Sequence, residues 1–211
     1  MPAGTRLKGA TLKLETYINM DKIQDITKVK QYVLSIISDN NIEGCGIMVG
    51  DMFITAGHVI NKCVNPSIRW NGKKIPLINP IVFHNDENDS DSYDIAVYSI
   101  PNAKSLLVLS DVVPEKGDVL KSCSWRMLGE EYVECNAIVN GLKDGNYYAA
   151  ETDEQLKSGS SGGPVFLNGE VVGILCAGNC NDDNTPCNTE WPLNLCVFLS
   201  SKVILKLLEK N

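Results

Sequence analysis

From Gly44 to Leu199 the apolar residues come in short runs, alternating or continuous, each closed by turn residues. That rhythm is the signature of β-structure and leaves little length for helices. The runs are GCGIMVG, MFITAGHVI, KKIPLINPIVF, YDIAVYSI, DVLKSCSW, EYVECNAIV, NYYAAET, GPVFLNG, EVVGILCAG and PLNLCVFL. Asn168-Gly169, between VFL and EVVGIL, is a strong hairpin signal because both positions of a tight turn favour positive φ. Asn71-Gly72 and Asp144-Gly145 are similar but less well framed.

The pattern changes at both ends. In Asp25 to Ser38 (DITKVKQYVLSIIS), Ile26, Val29, Val33, Leu34, Ile36 and Ile37 have largely helical spacing, so an amphipathic helix with Asp25 as N-cap is expected. Ser201 to Lys210 repeats the pattern, with Val203, Ile204, Leu207 and Leu208 on one side, and predicts a closing helix. About ten strands between two helices fit an all-β fold of two packed six-stranded antiparallel barrels. The expected division is an N-terminal extension and helix over 1–40, barrel one over 41–110, barrel two over 111–200 and a C-terminal helix over 201–211. No repeat or low-complexity tract interrupts it.

Composition excludes several roles. With 44% hydrophobic and 21% charged residues the chain is globular. Its net charge of −7 is carried by scattered acids, densest at Asp86, Glu87, Asp89, Asp91 and Asp94, and no basic stretch is available for a phosphate backbone, which argues against nucleic acid. No apolar run approaches the roughly 20 residues of a membrane helix. Met1 to Leu14 lacks the apolar stretch of a secretion signal, so an intracellular, cytoplasmic location is expected. The eight cysteines, at 45, 63, 123, 135, 176, 180, 187 and 196, are therefore read as mostly reduced. Cys176, Cys180, Cys187 and Cys196 could together bind zinc, but lack the paired C-x-x-C steps of a strong zinc signature, and no metal or cofactor is expected.

The stretch that carries chemistry is Ser158 to Pro164, S-G-S-S-G-G-P. A serine hydroxyl is a poor nucleophile unless held beside a base, and its acyl intermediate needs N–H donors facing the oxyanion. A glycine-rich bend supplies them. Gly159-Ser160-Ser161-Gly162-Gly163-Pro164 resembles the G-x-S-G-G-P nucleophile motif of the chymotrypsin-like serine proteases, with Ser158 and Ser160 as turn residues. Phe53-Ile54-Thr55-Ala56-Gly57-His58 is similar to that family's T-A-A/G-H motif, and Tyr93-Asp94-Ile95-Ala96-Val97 to its D-I/L-A-L/V strand. The resemblance reaches Val172-Gly173-Ile174-Leu175-Cys176-Ala177-Gly178, like the V-G-I-x-S-W-G strand that pairs with substrate. The order His, Asp, Ser is also that of the chymotrypsin type.

What this resemblance implies is a serine endopeptidase acting on polypeptides. Ser161 would attack, His58 would shuttle the proton, Asp94 would orient His58, and the N–H groups of Gly159 and Ser161 would bind the oxyanion. Cys176, Ala177 and Gly178 would wall the specificity pocket. Its floor would draw on Thr152, Gln155, Asn179 and Cys180, which carry no charge, so a small or polar side chain is expected before the scissile bond. His84, the other histidine, reads as a surface residue. Cys45 and Cys63, flanking His58, resemble the disulfide beside the base in secreted relatives, and should be open in a reducing compartment.

Two departures qualify the resemblance: no I-V-G-G-like activation start precedes Gly44, and Cys176-Ala177 replaces the usual Ser-Trp. With the short segments between the three residues, this resembles the compact intracellular or viral branch that processes a polyprotein, which for such a chain includes its own precursor. A stand-alone bacterial or cellular protease is the alternative. Two rivals remain: a non-catalytic binding module on the same fold, and a cysteine nucleophile at Cys45 or Cys176.

Overall fold

The structure, a computed structural model, describes residues 28–39, 41–85, 93–126, 131–143, 146–178 and 194–210. Its first sheet holds seven antiparallel strands: β1 (Val33–Ser38), β2 (Asn41–Val49), β3 (Met52–Thr55), β4 (Ser67–Trp70), β5 (Lys73–Pro76), β6 (Val82–His84) and β7 (Ile95–Ser99), ordered β5-β4-β1-β2-β3-β7-β6. The second is a closed barrel of β8 (Val119–Arg126), β9 (Glu131–Lys143), β10 (Tyr147–Thr152), β11 (Pro164–Leu167), β12 (Glu170–Gly178) and β13 (Leu195–Ser200). The all-β, two-unit expectation therefore holds, and the second unit has the six strands anticipated. The first differs: it is an open sheet of seven, with the short strands β5 and β6 at its edges.

The expected helix over Asp25–Ser38 is a correction. A 3-10 turn covers Lys30–Tyr32, and Val33–Ser38 is a strand seated between β2 and β4. Asp25, Ile26 and Thr27 lie outside the described residues. Val33 and Ile36 are buried three residues apart, as on a helix, although their register with β2 runs unbroken; the irregularity falls after Ile36, where β2 carries the extra residue Glu43. β-branched side chains and a ladder on both edges outweigh the apparent helical period. The first sheet accordingly begins at Val33, ahead of the expected boundary at 41.

Two α-helices complete the fold among the described residues. Helix α1 (Gly57–Lys62) follows β3 directly, and α2 (Ser201–Leu208) closes the chain as expected. Ser200 caps α2 by accepting the Lys202 N–H, and Val203, Ile204 and Leu207 are buried. The hairpin at Asn168-Gly169 has φ of 51° and 83°, and Asn71-Gly72 has 49° and 76°. Asp144-Gly145 lies outside the described residues.

One apolar core joins the two sheets. Ile36, Ile47, Phe53, Ile54 and Val97 of the first pack in one cluster with Phe166, Ile174 and Leu199 of the second and with Ile204 of α2. The barrel interior is a separate cluster, where Tyr148 stacks on Phe198 with ring centroids 5.3 Å apart. Burial of Ile36 is complete, so Ile36→Ala should lower stability by about 2–5 kcal/mol in urea denaturation. Its amide should also be among the slowest to exchange; the fraying expected of a peripheral N-terminal helix would contradict the strand.

Candidate active site

The small residues before His58 answer to close packing. Thr55 Oγ1 donates to the Cys45 carbonyl at 2.7 Å, Ala56 is fully buried, and the His84 backbone passes so near Gly57 that a Cβ there would collide with it. These contacts set where α1 begins, and His58 is its second residue. Asp94 stands where the chain enters β7. Its Oδ1 accepts the His58 backbone N–H at 2.8 Å, and its Oδ2 accepts from the ring Nδ1 at 2.7 Å. Two bonds from one carboxylate to one residue fix both the ring's position and its tautomer, with Nδ1 protonated and Nε2 free to accept.

Ser161 lies on the bend between β10 and β11, which is fastened from several directions. The Ser161 carbonyl accepts the Cys45 N–H at 2.9 Å. Gly162 N–H donates to Leu175 O at 2.7 Å, Leu175 N–H returns a bond to Gly163 O at 2.8 Å, and the buried Ser124 hydroxyl donates to Ser160 Oγ at 3.1 Å. Gly162 has φ of +83°, and a Cβ would meet the Cys45 carbonyl, so only glycine fits. Gly159, at φ +97°, turns the chain so that its own N–H and that of Ser161 remain unengaged among the described residues, whereas the Ser160 N–H is bound to Lys157 O.

His58, Gly159 and Ser161 line one cleft of about 280 Å³. No hydrogen bond joins the Ser161 hydroxyl to His58 among the described residues. In unliganded sites of this kind such a bond is commonly long and tightens with substrate.

The sequence profile of the trypsin-like peptidase domain matches residues 38–174. The chain belongs to this family. No curated protein matches it in sequence. Among solved structures the peptidase domain is similar to the inactive form of the Rv3671c protease of M. tuberculosis, at 19% identity and TM-score 0.64, with 88% of this chain and 91% of that one covered. It is also similar to a serine endoprotease from Yersinia pestis, at 19% identity and TM-score 0.66, covering 92% of this chain and 67% of that one. A scabies mite inactivated protease paralogue is a third, at 16% identity and TM-score 0.62, with 88% and 93% covered. At these identities the likeness is one of fold.

The expected pocket residues of the peptidase domain divide. Ala177 and Gly178 line the cleft. Cys176 does not: it is buried beneath Asp94, its thiol donating to the Asp94 carbonyl at 3.5 Å. Thr152 is also buried, its hydroxyl spent on Asn194 O at 3.0 Å, and Gln155 borders a separate small cavity beside Arg126 and Glu154. Neither forms the floor of the cleft. Asn179 and Cys180 lie outside the described residues. In their place Leu156 and Lys157 border the cleft from the second barrel, and Glu43 and Lys62 from the first sheet and α1. Leu156 is one position beyond Gln155, an offset that the motif alone does not reveal. His84 is partly buried and packs edge-on against Tyr93, with centroids 5.9 Å apart, rather than standing free at the surface.

The cysteines described are free thiols at Cys45, Cys63, Cys123, Cys135, Cys176 and Cys196, so Cys45 and Cys63 are not bridged. Cys180 and Cys187 lie outside the described residues, and no group of metal-ligating side chains is present among those described. Burial pushes the Cys45 thiol up to about 12, and burial together with the Asp94 charge raises Cys176 well above the usual thiol range. A nucleophile needs the thiolate, which for Cys45 would be about one part in 10⁴ at pH 8. In the native protein at pH 8, iodoacetamide should therefore leave Cys45, Cys123, Cys176 and Cys196 unmodified, with Cys63 reacting first of the six, as peptide mass spectrometry can show. Fast alkylation of Cys45 or Cys176 would reinstate a cysteine nucleophile.

Proposed function

We propose that the chain is a serine endopeptidase that hydrolyses peptide bonds through Ser161, His58 and Asp94. The observation that carries this reading is the double bond pattern from Asp94 to His58, with the imidazole opening onto the cleft that holds Ser161. His58 Nε2 would take the Ser161 proton as Oγ attacks the scissile carbonyl, and would give it to the leaving amine as the acyl-enzyme forms. Asp94 would stabilise the imidazolium. The unengaged N–H groups of Gly159 and Ser161 would receive the oxyanion, and water would then release the acid product by the same route. No cofactor enters this chemistry. The fold alone would not support it, since an inactivated paralogue shares the same fold.

A fluorophosphonate tests the reading directly. The reagent should label Ser161 alone, and His58→Ala should slow labelling by at least about 10³-fold, since the base and the nucleophile act as a unit. Labelling of Ser158 or Ser160 would overturn the assignment, and no labelling of the folded chain would favour a binding module.

As its role we propose processing of a precursor polyprotein inside the cell, in the host cytoplasm for a virus. The compact spacing supports this, His58 and Asp94 being only 36 residues apart, as does a nucleophile bend held by Ser124, Cys45 and Leu175. A chain extended beyond either end should cut its own flanks, with a small residue before the scissile bond. A failure to do so, with other proteins still cleaved, would favour the stand-alone alternative, and a profile dominated by Arg and Lys would contradict the small or polar side chain expected before the scissile bond.

A further inference from the structure

We propose that Tyr147 is a positioning residue for this site: from across the barrel interface its phenolic oxygen holds the peptide of Asp94 and so sets the geometry in which Asp94 meets His58. The inference rests on the reading of Asp94 and His58 given above. Both carboxylate oxygens of Asp94 accept from His58, through the backbone N–H and Nδ1. Its peptide groups are engaged from the other unit. Asp94 N–H donates to Tyr147 Oη at 2.9 Å, and Asp94 C=O accepts from Cys176 Sγ at 3.5 Å. A residue whose side chain is fixed by α1 and whose backbone is fixed by β10 and β12 can keep its carboxylate in place only if the two units hold their relative position.

Tyr147 is well placed for this task. It opens β10 and pairs with Leu199 on one side and Lys143 on the other, so its backbone is set by two ladders. Its ring packs on the apolar cluster shared by both sheets. Burial, then the neighbouring Cys176, push the phenol up to about 12, so it remains neutral across the working range and adds no charge beside Asp94. Of the two partners, the phenol makes the shorter and stronger bond; a thiol is a weak donor. Tyr148, the next residue, points to the barrel interior and stacks on Phe198, and so provides a control of the same chemistry in the wrong place.

Removing the hydroxyl while keeping the ring leaves the Asp94 N–H without its acceptor. The test is the low-field proton resonance of the His58 Nδ1–H bond to Asp94, read by NMR alongside the rate of fluorophosphonate labelling at Ser161. With only two histidines in the chain, the His84 ring is an internal reference. Tyr147→Phe should shift or exchange-broaden the His58 Nδ1–H resonance and slow labelling about tenfold or more, since small displacements of a catalytic group carry costs of this order. Tyr148→Phe should leave both unchanged even where it lowers the melting temperature. If Tyr147→Phe does not fold, difluorotyrosine at position 147, which keeps the shape and weakens the acceptor, should move the resonance in the same direction by less. An unchanged resonance and labelling rate in a folded Tyr147 variant would overturn the inference. A resonance that responds to Tyr147 in a chain whose Ser161 never labels would instead uphold it and count against the proposed nucleophile.

Discussion

Two backbone hydrogen bonds tie the Ser161 bend to strands of both units, Cys45 N–H to Ser161 O and Gly162 N–H to Leu175 O, and the arrangement of the site depends on them. β2 belongs to the first sheet and β12 to the barrel, so the bend is a seam rather than a surface loop. A seam this tight dictates composition. Gly162 must lack a side chain because the Cys45 carbonyl occupies the space, and Gly163 because a Cβ would come within 2.5 Å of the Cys123 carbonyl. Thr55 in turn must hold the Cys45 carbonyl in place, which links the residues before His58 to those around Ser161. The two motifs are one packing problem seen at two places in the chain.

Asp94 extends the same logic. Its carboxylate answers to α1 and its peptide to β10 and β12. The shared apolar core, with Phe53 and Ile54 against Phe166 and Ile174, is what makes such bridging bonds possible, because close-packed side chains hold the two sheets to a fixed distance. Burial of the thiols follows from the same packing. Cys45 and Cys176 behave as small hydrophobes at the seam, burial raising both above the usual thiol range and the neighbouring Asp94 raising Cys176 further.

Much of this was legible in the sequence where a residue type has one physical use. The glycines around Ser161, the hairpin at Asn168-Gly169 and the amphipathic run of α2 each point to a single backbone state. The segment from Val33 to Ser38 was not legible, because its buried residues Val33 and Ile36 stand three apart, a spacing that a helix also produces. Nor was the open first sheet, since closure depends on how β5 and β6 lie in space and not on local pattern. Tyr147 escaped notice for the same reason: it is 53 residues from Asp94, and nothing in NYYAAET distinguishes a tyrosine that reaches across an interface from its neighbour inside the barrel.

The pocket shows how a polar residue can mislead. Thr152 suggested a polar floor, yet its hydroxyl is committed to Asn194, while Leu156 packs against β12, so close to Gly178 that a Cβ there would lie 2.9 Å from Leu156 Cδ1. The wall on the barrel side is thus made by Leu156, Leu175 and Ala177, with Lys157 its one charged member among the described residues, and the acid at the cleft, Glu43, stands on the first sheet instead. A basic side chain entering beside Gly178 would meet an apolar wall and the like charge of Lys157, with Glu43 of the first sheet the one acid lining the cleft among the described residues. A small side chain loses little on entry and needs no partner. The proposed preference for small residues would then rest on the exclusion of large charged ones by Leu156 and Lys157 rather than on the threonine that first suggested it.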